Sequence, residues 1–497
     1  MELEFRRTDL PCWKPLLRQI ETQEQTQEVH LTDDMPDIGR ILGAWGQVIH
    51  RAKEWRGDNV SFSGGVMAHV LFCGEDGEKC YALETWIPFQ CRWNLDESAR
   101  DGVARIQCLL RTLDARMVSA RKIMLRCGIG AMAEICVRDT ARIAVPENVP
   151  EHVELLTVRY PVRLPKAAGE KAFRVEEELT LPANAPKLGR MIGCTLQPTV
   201  SEAKVIGNKV VFRGNAGLHL MYQDDRGTPV SWNLDVPWSQ FAQLEEEVSA
   251  DAQPDIWLGI TGLELEPEED GSLQLKCGMV AQYLVDDRQI LEIVEDAYSP
   301  SFQLEPKLGK LDLPLVLEQK QVPMTISQTL RQSAGQIVDV TYLPDFPQMF
   351  RSDPVQFQLP GQFQVLYRDG EGKLQGTLVH GEETWDTPAD GNIRMEATVQ
   401  PGSCSALAAG DSISLRSEVA MDLRCTARQP IPMVTGFTLG EEKTRDVSRP
   451  SLILRRAGGQ RLWDIAKSTG STVSGIRKAN GLEREPEENR ILLIPVK

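Results

Sequence analysis

Apolar and polar residues alternate along much of this chain, and an alternation with a period of two predicts β-strands. The clearest alternation occurs in three separate stretches that each begin at a phenylalanine. The apolar sets are Ala68, Val70 and Phe72; Leu218, Leu220 and Tyr222; and Phe363, Val365 and Tyr367. Each stretch runs into a polar turn that contains glycine, as in hairpin connections. The pattern predicts a mainly β body of hairpin-rich units, packed as sandwiches or in a barrel-like manner.

Helical spacing of apolar residues is confined to two short stretches of this β body. One stretch is ARIQCLLRTLDARMVS at residues 104–119, and the other is SQFAQLEEEV at residues 239–248. Both are expected to form helices that interrupt the strands.

A spacing of 150 residues relates the first part of the body to the second. Pro36, Gly39, Arg40 and Gly43 recur as Pro186, Gly189, Arg190 and Gly193. The same offset relates LRCG at residues 125–128 to LKCG at residues 275–278. A third, diverged copy is indicated by Phe357 and Tyr367, which keep the ten-residue step from Phe62 to Phe72. An array of similar modules usually presents surfaces and seldom houses one active site.

These repeats divide the chain of 497 residues into six parts, in keeping with the usual size of domains. We expect an N-terminal segment at residues 1–20, repeat 1 at 21–145, repeat 2 at 170–297, repeat 3 at 312–437, a linker at 438–450 and a C-terminal module at 451–497. Gly39 and Gly189 recur beside Arg40 and Arg190 as structural landmarks. Each glycine is expected to need a glycine-only conformation or a close approach of backbone.

The C-terminal module differs from the body because helical spacing replaces alternation. Leu462, Ile465 and Ala466 recur at helical spacing, and Thr472 is a plausible N-cap for a second helix. Short apolar runs at residues 452–454 and 491–494 predict a strand on either side. We therefore expect a small α/β domain with the order βααβ, which folds independently of residues 1–437.

Composition and charge narrow the classes of partner. With 41% hydrophobic and 25% charged residues, the chain has the composition of a soluble globular protein. It shows no basic-then-apolar leader and no apolar run long enough to span a bilayer, so the sequence predicts no export and no membrane insertion. The net charge is −16, although the last 47 residues carry nine Lys and Arg and five Asp and Glu. An acidic body disfavours nucleic acid and anionic membranes as partners.

Sequence motifs for catalysis and metal binding are missing. There is no GxxxxGK[ST] loop, no G-x-S-x-G elbow, no HExxH, and the eleven cysteines lack zinc spacing. Their odd number fits a reducing cytosol, and Cys127 and Cys277 are expected to be buried. His69 and His219 fall on matching strands opposite the inferred core side, which predicts surface histidines. We expect no catalytic residue, no metal and no cofactor.

The C-terminal module resembles a LysM domain. The residues that match the family pattern are Gly459, Leu462, Trp463, Ile465, Ala466, Asn480, Gly481, Leu482, Ile494 and Pro495. The chain departs from the pattern at Gln460, at Arg461 and at residues 488–490. These positions lie near the groove that holds N-acetylglucosamine chains in glycan-binding members. The resemblance implies the LysM fold without implying that sugar binding is kept.

The repeats resemble SPOCS domains, and three of them followed by a LysM domain resemble the SipL family of spore-coat morphogenetic proteins. The resemblance depends most on residues 35–42, on their copy at 186–192 and on the LysM matches. It implies a non-enzymatic scaffold in the mother-cell cytoplasm, at the forespore surface. Its partners would be a SpoIVA-like coat ATPase, bound largely through the LysM domain, and other coat proteins. The alternatives are a peptidoglycan-binding accessory protein and a hydrolase with an unrecognised site.

Partner-binding residues are expected in the C-terminal module. The candidates are Gln460, Arg461, Leu462, Trp463, Asn489 and Arg490. The positive charge of the module would attract an acidic surface, and apolar side chains would add contact area. Leu462 is more often a core residue in this fold, whereas Gln460, Arg461 and Arg490 are expected to be exposed.

Overall fold

Strands and antiparallel pairings dominate the computed structural model. The structure describes residues 2–496 except 76, 78, 97–101, 246, 270, 312, 314–315, 353, 387–392, 428–429 and 445–449. Within these residues the chain forms 24 strands and two short helices. The strands pair in several separate antiparallel sheets. The predicted β body is therefore confirmed, and the barrel-like alternative is wrong.

After the short strand β1 (Glu2–Glu4), the first structural unit contains two sheets of three strands. In the outer sheet the order is β2 (Arg6–His30), β7 (Lys122–Val145) and β6 (Gly102–Ser119). In the inner sheet the order is β3 (Ile38–Arg56), β4 (Asn59–Gly74) and β5 (Cys80–Asn94). We call this part of the molecule unit 1.

The same strand order occurs in the next part of the chain, which we call unit 2. Its outer sheet has the order β8 (Glu154–Leu179), β13 (Leu273–Tyr298) and β12 (Gln253–Pro267). Its inner sheet has the order β9 (Leu188–Ile206), β10 (Lys209–Asp224) and β11 (Pro229–Gln243). The strand β14 (Phe302–Leu311) follows unit 2.

Unit 3 repeats this arrangement with one additional strand. Its outer sheet has the order β15 (Val316–Leu330), β21 (Ser412–Ala427) and β20 (Ile393–Ala409). In its inner sheet β18 (Val355–Arg368) pairs with β16 (Gln336–Pro344) and β17 (Gln348–Ser352), and also with β19 (Leu374–Asp386). The interruption of one strand into β16 and β17 is the main difference of unit 3 from the other two units.

The first and the last strand of the body, β1 and β22 (Ile431–Glu442), pair in a further sheet. Its order is β1, β22 and β14. This sheet changes two sequence-based expectations. Residues 1–20 were expected to form a separate segment, but residues 2–4 lie in β1 and residues 6–20 lie in β2. Residues 438–442 of the expected linker continue β22, and residues 445–449 lie outside the described part of the chain.

Each unit has its own hydrophobic core between the inner and the outer sheet. Phe62, Phe212 and Phe357 start the alternation on β4, β10 and β18, and all three are buried. Burial of a side chain of this size contributes roughly 1.5–3 kcal/mol. Cys127 and Cys277 are buried in the cores of units 1 and 2, as predicted. The apolar face of the alternating pattern therefore determines which side of each inner sheet turns inward.

Both predicted helices of the body are wrong, since residues 104–119 and 239–243 lie in strands, and residue 246 of the second stretch lies outside the described residues. Residues 104–119 belong to β6, which pairs with β7 along its whole length. A register shift between Leu110 and Thr112 exchanges the two faces of the strand in its middle. Leu110 and Leu113 are consequently both buried at a three-residue spacing that imitates a helix. Residues 239–243 continue β11 in the same way as the rest of that strand.

Gly39 and Gly189 lie at the start of β3 and β9, where the backbone of the neighbouring strand passes close by. A Cβ atom on Gly39 would come within 2.4 Å of the carbonyl oxygen of Gly74. A Cβ atom on Gly189 would come within 2.6 Å of the carbonyl oxygen of Asp224. The positive-φ glycines include neither residue. Close backbone approach therefore explains both glycines, and a special conformation does not.

Replacement of Gly39 by Val is expected to destabilise the protein by roughly 1–3 kcal/mol, because the added side chain displaces the end of β4. Gly262→Val is the matched control, since a Cβ atom on this strand glycine meets no atom within 4 Å. Urea unfolding followed by circular dichroism measures both variants, and Gly189→Val should behave like Gly39→Val. Equal unfolding midpoints for Gly39→Val and Gly262→Val would contradict the close-approach explanation.

The three units close into a ring through contacts between their inner sheets. The strand β5 packs on β9, β11 packs on β16, and β19 packs on β3. At each junction a side chain donates a hydrogen bond to a backbone carbonyl group of the neighbouring unit. These bonds run from Gln223 to Cys80 at 2.8 Å, from Ser231 to Val338 at 2.8 Å and from Arg40 to Leu374 at 2.6 Å. Each unit consequently contacts both of the others.

Equivalent side chains of the three middle strands meet where the units converge. Leu71, Met221 and Leu366 each follow the first phenylalanine of their strand by nine residues. All three are buried and belong to one apolar cluster, which is separate from the cores of the units. The face of each inner sheet that turns away from its own core is therefore also covered near the ring centre.

Candidate functional site

The C-terminal module passes through β23 (Leu452–Arg456), α1 (Leu462–Thr469), α2 (Val473–Asn480) and β24 (Ile491–Pro495). Thr472 caps α2 as the sequence predicts, because its Oγ1 accepts the backbone N–H of Gly475 at 3.0 Å. Gly481 ends α2 with φ of 58°, a left-handed conformation that favours glycine. The two strands pair with each other, so the module has its own small sheet.

The six candidate partner-binding residues of the module fall into two groups. Gln460, Arg461, Asn489 and Arg490 are exposed, which agrees with the expectation for the three residues that were singled out as probes. Leu462 is completely buried, and Trp463 is 5% exposed. The structure therefore does not place Leu462 and Trp463 on a partner surface. Their apolar area is already used inside the protein.

Trp463 is buried because it anchors the module to unit 2. Its indole Nε1 donates a hydrogen bond of 2.9 Å to Oδ2 of Asp296, near the end of β13. Its ring meets the ring of Tyr298 edge to face, with the centroids 4.8 Å apart. The hydroxyl of Tyr298 donates to the carbonyl oxygen of Ser471 at 3.0 Å, and Tyr298 belongs to the hydrophobic cluster of the module. A residue of unit 2 thus completes the core of the module.

An ion pair reinforces this anchor. Nζ of Lys467 lies 2.9 Å and 2.7 Å from the two carboxylate oxygens of Asp296. Burial by itself would raise the pKa of Asp296, but the hydrogen bonds from Lys467 and Trp463 hold it below its ordinary value. Asp296 is therefore charged at neutral pH and binds the side chains of Trp463 and Lys467 in α1.

Two loops of the module, at residues 457–461 and 483–490, are joined by their own hydrogen bonds. The backbone N–H of Ala457 donates to the carbonyl oxygen of Arg490 at 2.9 Å. The backbone N–H of Gly458 donates to the carbonyl oxygen of Glu488 at 2.8 Å. The exposed candidate residues lie on these two loops, so the contacts bring them to one end of the module. We call this surface the loop face.

Some polar groups of the loop face already form hydrogen bonds with side chains of the module itself. The carboxylate of Glu485 accepts the backbone N–H of Leu462 at 2.8 Å, which satisfies a donor at the start of α1. Oε1 of Gln460 accepts a hydrogen bond of 2.6 Å from Arg455. Arg461 pairs with Asp464 at 3.0 Å, but its side chain remains 60% exposed. The loop face therefore offers exposed guanidinium groups, and some of its polar groups are already used within the module.

The repeated landmark residues are structural. Arg40 reaches from unit 1 to unit 3, where its guanidinium donates to the carbonyl oxygen of Leu374 and, at 3.2 Å, to Oε1 of Gln375. Its counterpart Arg190 is exposed. Gly39 and Gly189 serve close backbone packing, so none of the four residues points to a binding site.

The expectation that His69 and His219 lie on the surface is wrong, because a neighbouring unit covers each of them. His69 is buried, and a Cβ atom on Gly193 of unit 2 would lie 2.5 Å from its ring. Nε2 of His219 lies 3.4 Å from Oδ1 of Asp339 in unit 3. Although burial alone would lower the pKa of His219, Asp339 raises it to about 8. Both histidines therefore belong to junctions of the ring.

A buried group of charges joins all three units, and the sequence analysis did not find it. We call Arg105, Glu134, Asp255, Asp286 and Arg424 the central ion cluster. Nη2 of Arg105 lies 2.9 Å from Oδ2 of Asp255, and its Nε lies 3.0 Å from Oε2 of Glu134. Arg424 lies 3.2 Å from Asp286 and 3.6 Å from Glu134. These residues come from all three units and lie far apart along the chain.

Among the residues that the structure describes, no group of three or more His, Cys, Asp or Glu could hold a metal ion. None of the described helices has the length and apolar character needed to cross a membrane. No known protein family, curated protein or solved structure matches this chain.

Proposed function

We propose that this protein is a non-enzymatic scaffold of bacterial endospore coat assembly, acting in the mother-cell cytoplasm at the forespore surface. Its three units would be SPOCS repeats and its C-terminal module a LysM domain, as in the SipL family that the sequence resembles. The loop face of the module would bind a SpoIVA-like coat ATPase, and other coat proteins would contact the body. The proposal includes no catalytic residue, metal or cofactor.

One observation supports the assignment of binding to the loop face. The residues that attach the module to unit 2 differ from the residues that the loop face exposes. Trp463 and Lys467 contact Asp296, whereas Gln460, Arg461 and Arg490 stay exposed. The module can therefore remain on the body while its loop face contacts a partner.

Two exposed arginines of the loop face are the basis for proposing an acidic protein rather than an uncharged glycan as its partner. Arg461 and Arg490 are exposed cations, and charge complementarity increases association rate and specificity for an acidic surface. Glu485 already takes the backbone donor of Leu462, and Arg455 takes the amide oxygen of Gln460. These two groups are thus not free to recognise sugar hydroxyl groups. Peptidoglycan binding remains the alternative that the following experiment tests.

The double substitution R461E/R490E is expected to weaken binding to a purified SpoIVA-like ATPase by roughly tenfold or more, because two attractive charges become repulsive. The loss should be larger at low ionic strength, where charges are screened less. Biolayer interferometry at low and high salt measures the dissociation constants, and thermal unfolding shows whether the variant keeps its fold.

R56E/R116E is the matched control, because it makes the same charge change at two exposed positions of unit 1. The side chains of Arg56 and Arg116 are 74% and 78% exposed. This control should bind the ATPase like the unchanged protein. If R461E/R490E bound the ATPase normally but no longer sedimented with purified peptidoglycan, the glycan alternative would replace the protein-docking proposal.

A further inference from the structure

A broad open groove lies beside β5 of unit 1, far along the chain from the C-terminal module. Its volume is about 1070 Å³, and its lining includes Arg51, Met67, Trp86, Pro88 and Gln23. Met67 lies on the same face of β4 as Leu71 of the ring centre, since the two are four residues apart on one strand. In the described sheet β5 pairs only with β4. At the groove, the side-chain amide of Gln23 donates to the carbonyl oxygen of Gln90 on β5, and Pro88 has no N–H to donate.

In this groove the guanidinium group of Arg51 lies over the ring of Trp86. A Cβ atom on Gly65 would lie 2.1 Å from Cζ2 of Trp86, which means that the indole rests directly on this glycine. The guanidinium carbon of Arg51 lies 4.9 Å from the centre of the Trp86 ring. Arg51 is exposed and forms no ion pair with another described residue, whereas Glu24, which also lines the groove, pairs with Arg126. The groove therefore offers an unpaired cation on an apolar support.

Units 2 and 3 have other side chains at the matching positions, although Trp86 also packs against the core of unit 2. Met67 pairs with Trp86 across β4 and β5. The matching pairs are Gly217 with Asp235 in unit 2 and Gln362 with His380 in unit 3. Arg51 lies at a register shift of β3, and the residue at the matching shift of β9 is Ser201. The combination of Met, Trp and Arg is thus a property of unit 1 rather than of the repeated backbone.

We propose that this groove binds an extended, acidic segment of a partner protein, which is held by side chains of β3, β4 and β5. A carboxylate of the segment would contact Arg51, and a large apolar side chain beside it would contact Met67 and Trp86. An arginine stacked on an aromatic ring still presents N–H donors at its edge, and these match the geometry of a carboxylate.

This site is distinct from the loop face, so it goes beyond the proposed function and does not depend on it. The positive charge of Arg51 favours an acidic segment, because a basic or a purely apolar segment would leave Arg51 without a partner. An acidic, extended protein segment satisfies both the cation and the apolar support.

Fluorescence anisotropy with the full chain tests the proposal. The probe is a fluorescein-labelled peptide with the core Glu-Thr-Phe-Thr-Glu, and two further peptides have the cores Lys-Thr-Phe-Thr-Lys and Glu-Thr-Ser-Thr-Glu. The first peptide is expected to bind at least about tenfold more tightly than either of the others, because only it has both the charge and the apolar side chain. Equal binding of the two acidic peptides would show general attraction of anions and would overturn the proposal, as would no binding at all.

Substitutions that import residues of the other units identify the site. R51S introduces the residue of unit 2 and M67Q that of unit 3, and each should weaken binding of the first peptide by about tenfold. S201A in unit 2 is the control and should leave binding unchanged, and thermal unfolding verifies that all variants fold. Unchanged affinity in folded R51S would overturn the proposal. Competition by a chito-oligosaccharide would assign the groove to a sugar and would also overturn it.

Discussion

Replacement of Glu134 by Ala is expected to lower the free energy of unfolding by about 3–5 kcal/mol, since it leaves buried arginines without their anion. Glu134 is 3% exposed and Arg105 is 1% exposed. Burial alone would raise the pKa of Glu134, but Arg105, Arg18 and Arg424 lower it to about 2. Urea unfolding followed by tryptophan fluorescence measures the loss. No other single carboxylate described above contacts arginines of two units.

Glu24→Ala is the control for this variant, because Glu24 pairs with Arg126 where both side chains are more than half exposed. An exposed pair of this kind contributes less than about 1 kcal/mol. Acid provides a second measurement. The folded pKa of Glu134 is depressed from 4.5, so its stabilisation is present above pH 4.5 and is lost as the pH falls towards 2. Glu134→Ala should lack this loss, and equal costs for the two Ala variants would contradict the role of the central ion cluster.

Replacement of Tyr298 by Ala is expected to destabilise the docked module by about 3–5 kcal/mol, because it removes a large aromatic side chain from a shared core. Tyr298 is 5% exposed and packs against Trp463. Hydrogen–deuterium exchange of the backbone of α1 should increase strongly in the variant. Differential scanning calorimetry should show a separate transition of the module at a lower temperature.

Tyr298→Phe is the matched control, since it keeps the ring and removes only the hydrogen bond to Ser471. Loss of one such bond costs about 0.5–1.5 kcal/mol, so exchange in α1 should rise much less. If Tyr298→Ala left the exchange of α1 unchanged, the module would be independent of unit 2. The sequence alone predicts that independence, because nothing in residues 451–497 indicates that a tyrosine of another unit is needed.

The alternation of apolar and polar residues predicted the strands correctly but was misleading where the register of a strand shifts. The patterns that begin at Phe62, Phe212 and Phe357 correspond to β4, β10 and β18. The spacing of Leu110 and Leu113 imitated a helix because a register shift exchanges the faces of β6. A sequence shows the spacing at which apolar residues recur. One extra residue in a strand changes this spacing, although the segment remains a strand.

Side-chain environments were harder to predict than strands, because distant units create them. Trp463 was expected near a partner surface, yet its hydrogen-bond acceptor Asp296 lies 167 residues earlier in the chain. His69 and His219 do face away from their own cores, as the alternation indicates, but the next unit covers that face. The central ion cluster has no local signal at all. Local patterns give the direction of a side chain and do not give its neighbour.

Closure of the ring fixes the number of repeats. In an open array each added repeat stacks on an exposed end, and terminal repeats need polar caps. Here β5 meets β9, β11 meets β16, and β19 meets β3, so every unit already has both neighbours. A fourth unit could enter only after one of these junctions opened, which would expose the buried leucines and methionine at the centre. The molecule therefore cannot lengthen by duplication as a solenoid does, and new surfaces must come from changes within a unit.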